Sequence, residues 1–595
     1  MDNRWTRLFR PRATSGSELS GADRAAERDR DLVFSLHPAR IPHPGRLRHL
    51  KKVLNARELL TLRWLTIVAV ISGLLVVGIQ VKSHLHLVAT DGGTLTEGLV
   101  GVPQTINPIL ARPSTVDASL TKLLFRGLTK VDSSFNVVPD LAASITPSSD
   151  GKTVTIVLKD DQHWSDEEPI TSNDIKYTFD TIKDSEFNSP YQSLFTPITT
   201  DIVDDLTVKL TLSKAMPNLM AVLSLGLLPQ HVWLDASGAS MALAEYNIKP
   251  ITNGSYKFQS VTKDRSGNVK AFTFVQDKTS GAIKPHIKTI SIKFYPDQNS
   301  ALEALKKDGI DLLGSVPEDE AQPIEKNFPV ASVPYNQVMG IWFNQKTNVA
   351  LRSKEVRQAL AMVVDRSTLL KPIGRAGTAI TDPVLPGHVG YSSSIPHPTG
   401  TIDQANTLLD QAGWKLSGSV RTKSKVDLAF SFTIPNDEPY TTMANTLVAA
   451  WKKIGAKVAI NAVDPSHLPK DVVKPRSYDA LLFGQMYGAD SDLYPYWHSS
   501  QQSDPGYALA IWSSASVDKD LTEARTADET KKIALLKDAQ TIIASDVPAI
   551  LLYQANEVFS HAKNVRGWDT VFGISPADMF SNFQQLYVRT KFAWK

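Results

Sequence analysis

Trp64–Val81 is an uncharged and almost wholly apolar run, bracketed by Arg63 and Lys82, with more than 500 residues after it. At about 1.5 Å per helical residue its length comes to roughly 27 Å, enough to cross a hydrocarbon core. A helix with no polar face has no place on the surface of a soluble domain. The run therefore divides the chain into a short tail and a large body that must fold on its own.

Charge assigns the sides. Met1–Leu60 holds 13 Lys/Arg against 7 Asp/Glu, a net +6, and Arg46, Arg48, Lys51, Lys52, Arg57 and Arg63 crowd the approach to the run. Only Lys82 stands close on the far side, so the positive-inside rule places the tail in the cytoplasm and residues 82–595 outside. A cleaved signal peptide has a short basic preface, whereas over 60 residues precede this run, and Leu87-Val88-Ala89 is a poor cleavage site. The run reads as an uncleaved anchor. The tail, rich in Arg, Ser, Pro and Ala without apolar periodicity, is expected to have no packed core. Its charge suits anionic lipid on the inner leaflet. Its interspersed acids argue against nucleic acid.

The chain has no cysteine, which excludes disulfides, thiolate metal sites, a cysteine nucleophile and an acylated lipoprotein cysteine. The body must hold together by its core, and its length suffices for two or three domains. Residues 83–595 carry a net charge of −5, which argues against a polyanion partner.

After a polar spacer at 83–93, strand and helix patterns alternate, as in an α/β protein. Thr153–Leu158 reads as a strand after an Asp150-Gly151 turn. Thr171-Ser172-Asn173-Asp174 has the form of a capping box and predicts a helix through Tyr177 and Phe179. Val208, Leu210 and Leu212 alternate with polar residues, as do Ile290, Ile292 and Phe294 within Lys288–Tyr295. Helices are expected over Ser353–Asp365, over Asp403–Ala412 with Gly413 as its stop, and over Tyr440–Ile454 stopped by Gly455. A strand at Lys457–Val463 follows. Arg357, beside Val356 on the first of these helices, reads as structural, paired with a nearby carboxylate.

Several strings stand in a telling order: Gly92-Gly93-Thr94-Leu95, Asn107-Pro108, Leu124-Phe125-Arg126-Gly127-Leu128-Thr129, Pro139-Asp140-Leu141-Ala142, His163-Trp164-Ser165-Asp166, Asn253-Gly254-Ser255-Tyr256, Trp342-Phe343-Asn344, Val356-Arg357-Gln358-Ala359-Leu360, Leu408–Trp414 and Asp546-Val547-Pro548-Ala549. Together they resemble the extracytoplasmic solute-binding proteins of ABC importers, in the family that takes oligopeptides, dipeptides and nickel. The resemblance implies a two-lobe, periplasmic-binding-protein-like (Venus-flytrap) α/β fold with an extra subdomain on the first lobe, preceded by one transmembrane helix. It divides the chain into a tail (1–60), an anchor (61–82), a spacer (83–93), lobe I (94–335, subdomain about 130–230), lobe II (336–556) and a return to lobe I (557–595). The chain is expected to leave lobe I near Val333–Val338 and to return near Asn556–Phe559.

The stretch from Tyr478 to Ser500 begins as a buried strand and becomes an aromatic loop with two carboxylates. The resemblance implies an aspartate here that pairs with the α-ammonium of a bound peptide. Asp490 matches that place best and Asp492 next, although the loop departs from the commoner spacing. A desolvated carboxylate suits one ammonium group, because a buried charge pair is screened little. Tyr487, Tyr494 and Trp497 would cover peptide side chains without demanding one shape. The plain alternative is a surface Asx-turn beside core aromatics. Gly254, Ser255 and Tyr256 stand where relatives have a cleft-lining Gly-Thr-Gly-Pro-Tyr loop, here without the first glycine and the proline. Glu97 and Gly98, just after the first strand, also fall near the cleft in relatives, and Asn344 is grouped with them. Trp164 is either cleft or core.

No zinc-protease, nucleophile-elbow or phosphate-loop motif occurs, so no enzyme, metal or cofactor is expected. His84-x-His86 lies in the membrane-proximal spacer and is not read as a metal site. The implied partners are a peptide, ABC permease subunits and the membrane, with the receptor itself monomeric. The alternatives are a sensing or adhesion protein on the same fold and a binder of another solute, such as a nickel chelate.

Overall fold

The computed structural model describes residues 54–594 apart from 113–115, 133–134, 149–151, 214–215, 217, 490, 505 and 569–570. The tail to residue 53, the Asp150-Gly151 turn and Asp490 thus lie outside the described residues. The chain divides into two compact units, Met1–Val88 with Lys591–Lys595, and Ala89–Thr590.

In the first unit the apolar run lies within one helix, Ala56–His84, about 44 Å long. Its Ala56–Val76 stretch is long and apolar enough to cross a membrane, and none of it is buried. Anchors and signal sequences share this length and composition. The spacer differs from expectation: Leu85–Thr90 is a strand, paired with Arg589–Trp594 in a two-stranded sheet.

One large sheet organises the second unit. Its order is Lys457–Val463, Ala429–Pro435, Ala480–Met486, Val330–Phe343, Ala549–His561, Leu312–Leu313, Thr94–Val100, Thr289–Tyr295, Val269–Gln276 and Tyr256–Lys263. A smaller antiparallel sheet, ordered Ala142–Pro147, Thr153–Leu158, Thr207–Leu212, Ile198–Asp204, packs with the helix Ser172–Lys183. That helix starts as its sequence predicts, with Asp174 accepting from Thr171 N at 2.8 Å.

The two long strands of the large sheet, Val330–Phe343 and Ala549–His561, run antiparallel side by side. Val330–Pro334 pairs with Asn556–Ser560, and Val338–Trp342 pairs with Ala549–Gln554. Between Pro334 and Val338 the register slips. Proline has no N–H to give the ladder, so a bulge is where a strand tolerates it. The core changes at the same place. Val333 and Phe559 pack into one apolar cluster with Leu95, Phe274 and Ile292. Beyond the bulge, Ile341, Leu482 and Leu552 enter a second cluster, while their neighbours Trp342, Leu481 and Leu551 enter a third on the opposite face. Coverage of both faces explains the unbroken apolar run Ala480-Leu481-Leu482.

Two helices are shorter than their patterns suggest. Lys354–Met362 stops early because Asp365 caps the next helix, Arg366–Leu369. Tyr440–Lys452 ends before Gly455, which takes φ +79°. Arg357 is structural, but it pairs with no carboxylate. Buried, it donates to the carbonyls of Leu351, Arg352, Asp546 and Val547 at 2.7–3.0 Å. It thereby closes the C-terminus of the helix Glu529–Asp546, where cationic donors are favoured. The Asp546 carboxylate pairs instead with Lys354, at 2.9 Å.

Candidate functional site

The loop after Ala480–Met486 is a packed aromatic stack. Tyr487 is buried, its ring lies 4.3 Å from that of Tyr496, and its hydroxyl accepts from Trp497 Nε1 at 3.1 Å. Trp497, 3% exposed, packs against Trp342. Both rings belong to the core. Tyr494 is half-buried, stacked on His498 and covered by the Arg525 guanidinium at 4.2 Å. Asp492 pairs at 3.1 Å with Arg525, which caps the helix Ala515–Ala524, and accepts from Tyr494 N, so its charge already has a partner.

Asn344 stands apart from this loop. The register running from Gln337↔Met486 to Phe343↔Ala480 puts it at the opposite end of the strand pair from Tyr487. Its amide donates to Arg476 O and accepts from Lys346 N, tying a turn.

Gly254 and Ser255 line a cavity of about 480 Å³ with Lys122, Arg126, Phe572 and Asp578. Gly254 N donates to Leu124 O at 2.9 Å, and a Cβ here would meet that oxygen at 2.6 Å, so only glycine fits. Ser255 Oγ lies 2.7 Å from Gln584 Oε1 and 2.8 Å from Ile283 O. Tyr256 is buried with its hydroxyl on Ile287 O, and Trp164 is wholly buried. Asn253 clamps the loop, accepting from Arg126 N at 2.7 Å and donating to Arg126 O at 3.2 Å. Arg126 in turn grips Asp140 with two bonds, at 2.8 and 3.1 Å. Burial pushes the Asp140 carboxyl up, but the guanidinium outweighs it and holds the group below its ordinary range. Three of the strings read in the sequence thus meet in one cluster. Across the cavity Lys122 pairs with Asp578 at 2.8 Å.

Every residue lining this cavity falls within 122–283 or 572–585. Ile574, one of its lining residues, accepts at its carbonyl from Asn336 N at 2.9 Å. Asn336 sits in the bulge, fully buried, and its side chain donates to Gly488 O at 2.8 Å and meets His388 Nε2 at 3.3 Å. Phe572 packs edge-on against Phe135, which stacks on His388.

Glu97 lies within the strand Thr94–Val100 rather than after it, fully buried, and neither carboxylate oxygen has a hydrogen-bond partner. It lines a second cavity, of about 250 Å³, with Gly98, Ser315, Glu557 and Phe559. Glu557 accepts from Ser315 Oγ at 2.6 Å. Burial, reinforced by the Glu557 charge, pushes Glu97 well above the ordinary carboxylate range, and burial raises Glu557 too. Sequence reading passed over Asn336, His388 and Glu557, since nothing local marks a residue whose neighbours lie far away in the chain.

Among the described residues no three His, Asp or Glu side chains gather as a metal site.

The family profile of the bacterial extracellular solute-binding proteins, family 5 Middle, matches residues 136–506. The oligopeptide-binding protein AppA of Bacillus subtilis is 26% identical over 496 residues, covering 80% of this chain and 89% of that protein. The ABC transporter substrate-binding protein CtaP of Listeria monocytogenes superposes with a TM-score of 0.69 at 24% identity, over 84% of this chain and 100% of that one. NikZ of Campylobacter jejuni, solved with Ni(L-His), superposes with a TM-score of 0.63 at 24% identity, over 83% and 99%. These structures establish the two-lobe fold, and the profile match over most of the chain shows that it belongs to the bacterial extracellular solute-binding proteins of family 5.

Proposed function

We propose that this chain is a membrane-tethered, outward-facing receptor that captures peptides between its lobes and delivers them to an ABC importer permease. The observation that carries the reading is the 480 Å³ cavity, lined by residues 122–283 and 572–585 and linked through the Ile574 carbonyl to Asn336, which bonds Gly488. Peptide binding by AppA and the charge asymmetry around Trp64–Val81 support it. Asp490 remains the candidate anchor for the peptide ammonium, because Asp492 is engaged by Arg525. The reading includes no reaction: the receptor binds and releases.

Titration calorimetry of the full-length chain in detergent micelles, against a di- to pentapeptide library, tests it. Silence across the library from a folded protein overturns it. Heat from a nickel–histidine chelate alone would favour the alternative suggested by the NikZ fold. Asp490→Ala is expected to weaken peptide binding and Asp492→Ala to act mainly on stability. Protease added to intact cells should remove the body and spare the tail; loss of the tail would reverse the orientation.

A further inference from the structure

Glu97 is the least reconciled polar group in the described structure. It has no exposure, no hydrogen-bond donor for either oxygen, and a second carboxyl, Glu557, as the charge acting on it. A buried polar group left without partners is destabilising, and a charged one more so.

The surroundings indicate what would pair with it. The cavity beside Glu97 has a polar floor, Glu97, Glu557 and Ser315, and walls from Val116, Phe559 and Phe580. Acid floors with aliphatic and aromatic walls suit an organic cation: the carboxylates meet the charge, and the walls cover its alkyl stem and accept it over ring faces. Gly314 keeps the floor open, since a Cβ there would stand 3.1 Å from Glu557 Oε1. Glu557 also pairs with Val333, one residue before the bulged segment, so an occupant would sit at the base of the joint between the lobes.

We propose that this cavity is a specificity subsite for a cationic group of the ligand, an ammonium or a guanidinium, with Glu97 as its anchor and Glu557 and Ser315 in support. The proposal rests on the peptide-receptor reading and narrows it to ligands with a positive charge at one defined place. That charge is a Lys or Arg side chain, or the peptide N-terminus if Asp490 does not take it.

Calorimetry on the full-length chain in micelles separates these sources. Ala-Lys-Ala is compared with Ala-norleucine-Ala, and trialanine with its N-acetyl form. A side-chain subsite gives about tenfold tighter binding of the lysine peptide, and a terminal subsite about tenfold loss on acetylation. Either preference should shrink to within about threefold in Glu97→Gln, which keeps the volume and removes the charge. Peptides that bind with no cation preference, or a preference intact in Glu97→Gln, overturn the subsite and leave the receptor reading standing. Agmatine, a cation without a peptide backbone, gives an independent readout. A rise in Tm that disappears in Glu97→Gln supports the subsite even if every peptide is silent, and silence from both overturns it.

Discussion

Phe135 stacks on the imidazole of His388 with ring centroids 4.6 Å apart, joining two segments far apart in the chain. Such pairs contribute about 0.5–1.5 kcal/mol beyond the area they bury. A double-mutant cycle of Phe135→Ala and His388→Ala, followed by chemical unfolding, should return a coupling energy in that range. Additive single mutants would mean the stack contributes nothing.

His388 also makes stability depend on pH. Burial lowers it to about 4 from an ordinary 6.5. Between those values the unfolded chain holds a proton that the folded one does not, so stability is lost as pH falls from 6.5 toward 4. His388→Gln should flatten the Tm–pH curve over that window.

Glu97 works in the opposite direction. Its folded carboxyl is raised, so its contribution is fully present below the ordinary value of 4.5 and is lost as pH rises through the folded value. Glu97→Gln is therefore expected to raise Tm near neutral pH and to match the parent chain near pH 4. A lower Tm at neutral pH would show that the carboxylate has a partner in the folded protein.

Arg357→Ala leaves four backbone carbonyls without their donor, one of them on Val547, a β-branched residue held at φ +49°. A loss of about 3 kcal/mol or more is expected, with Arg357→Lys recovering only part of it, because an ammonium cannot span both ends of the fork. Equal Tm values for Arg357→Lys and the parent would refute the fork argument.

Gly254→Ala should destabilise by about 1–3 kcal/mol, since its Cβ meets a carbonyl oxygen rather than a side chain that can move. It should also weaken peptide binding by displacing the Gly254–Ser255 edge of the larger cavity.

Elements with a short-range signature were legible before the fold was known. The Thr171–Asp174 box starts its helix, and the run Ala480–Leu482 is a strand covered on both faces. Leu85–Thr90 was read as a spacer because its partner, Arg589–Trp594, lies at the far end of the chain. Ser353–Asp365 ran too long because Asp365 fits either a helix end or the next cap, and periodicity does not separate them. The site divides in the same way. Gly254 and Asn253 stand out in their own loop. Glu97 acquires meaning only from Glu557, and Asn336 only from His388 and Gly488, pairings that exist once the sheet is assembled.

The bulge between Pro334 and Val338 interrupts one of two strands that lie side by side in the same sheet. A single linker would let one lobe swivel as well as tilt. Two strands laced above and below a gap resist torsion and yield only across their width, much as a door on two pins has one direction of travel. Tilting across the gap is then the easy direction of any movement there, and Asn336 spans it, bonded to Ile574 on one side and Gly488 on the other.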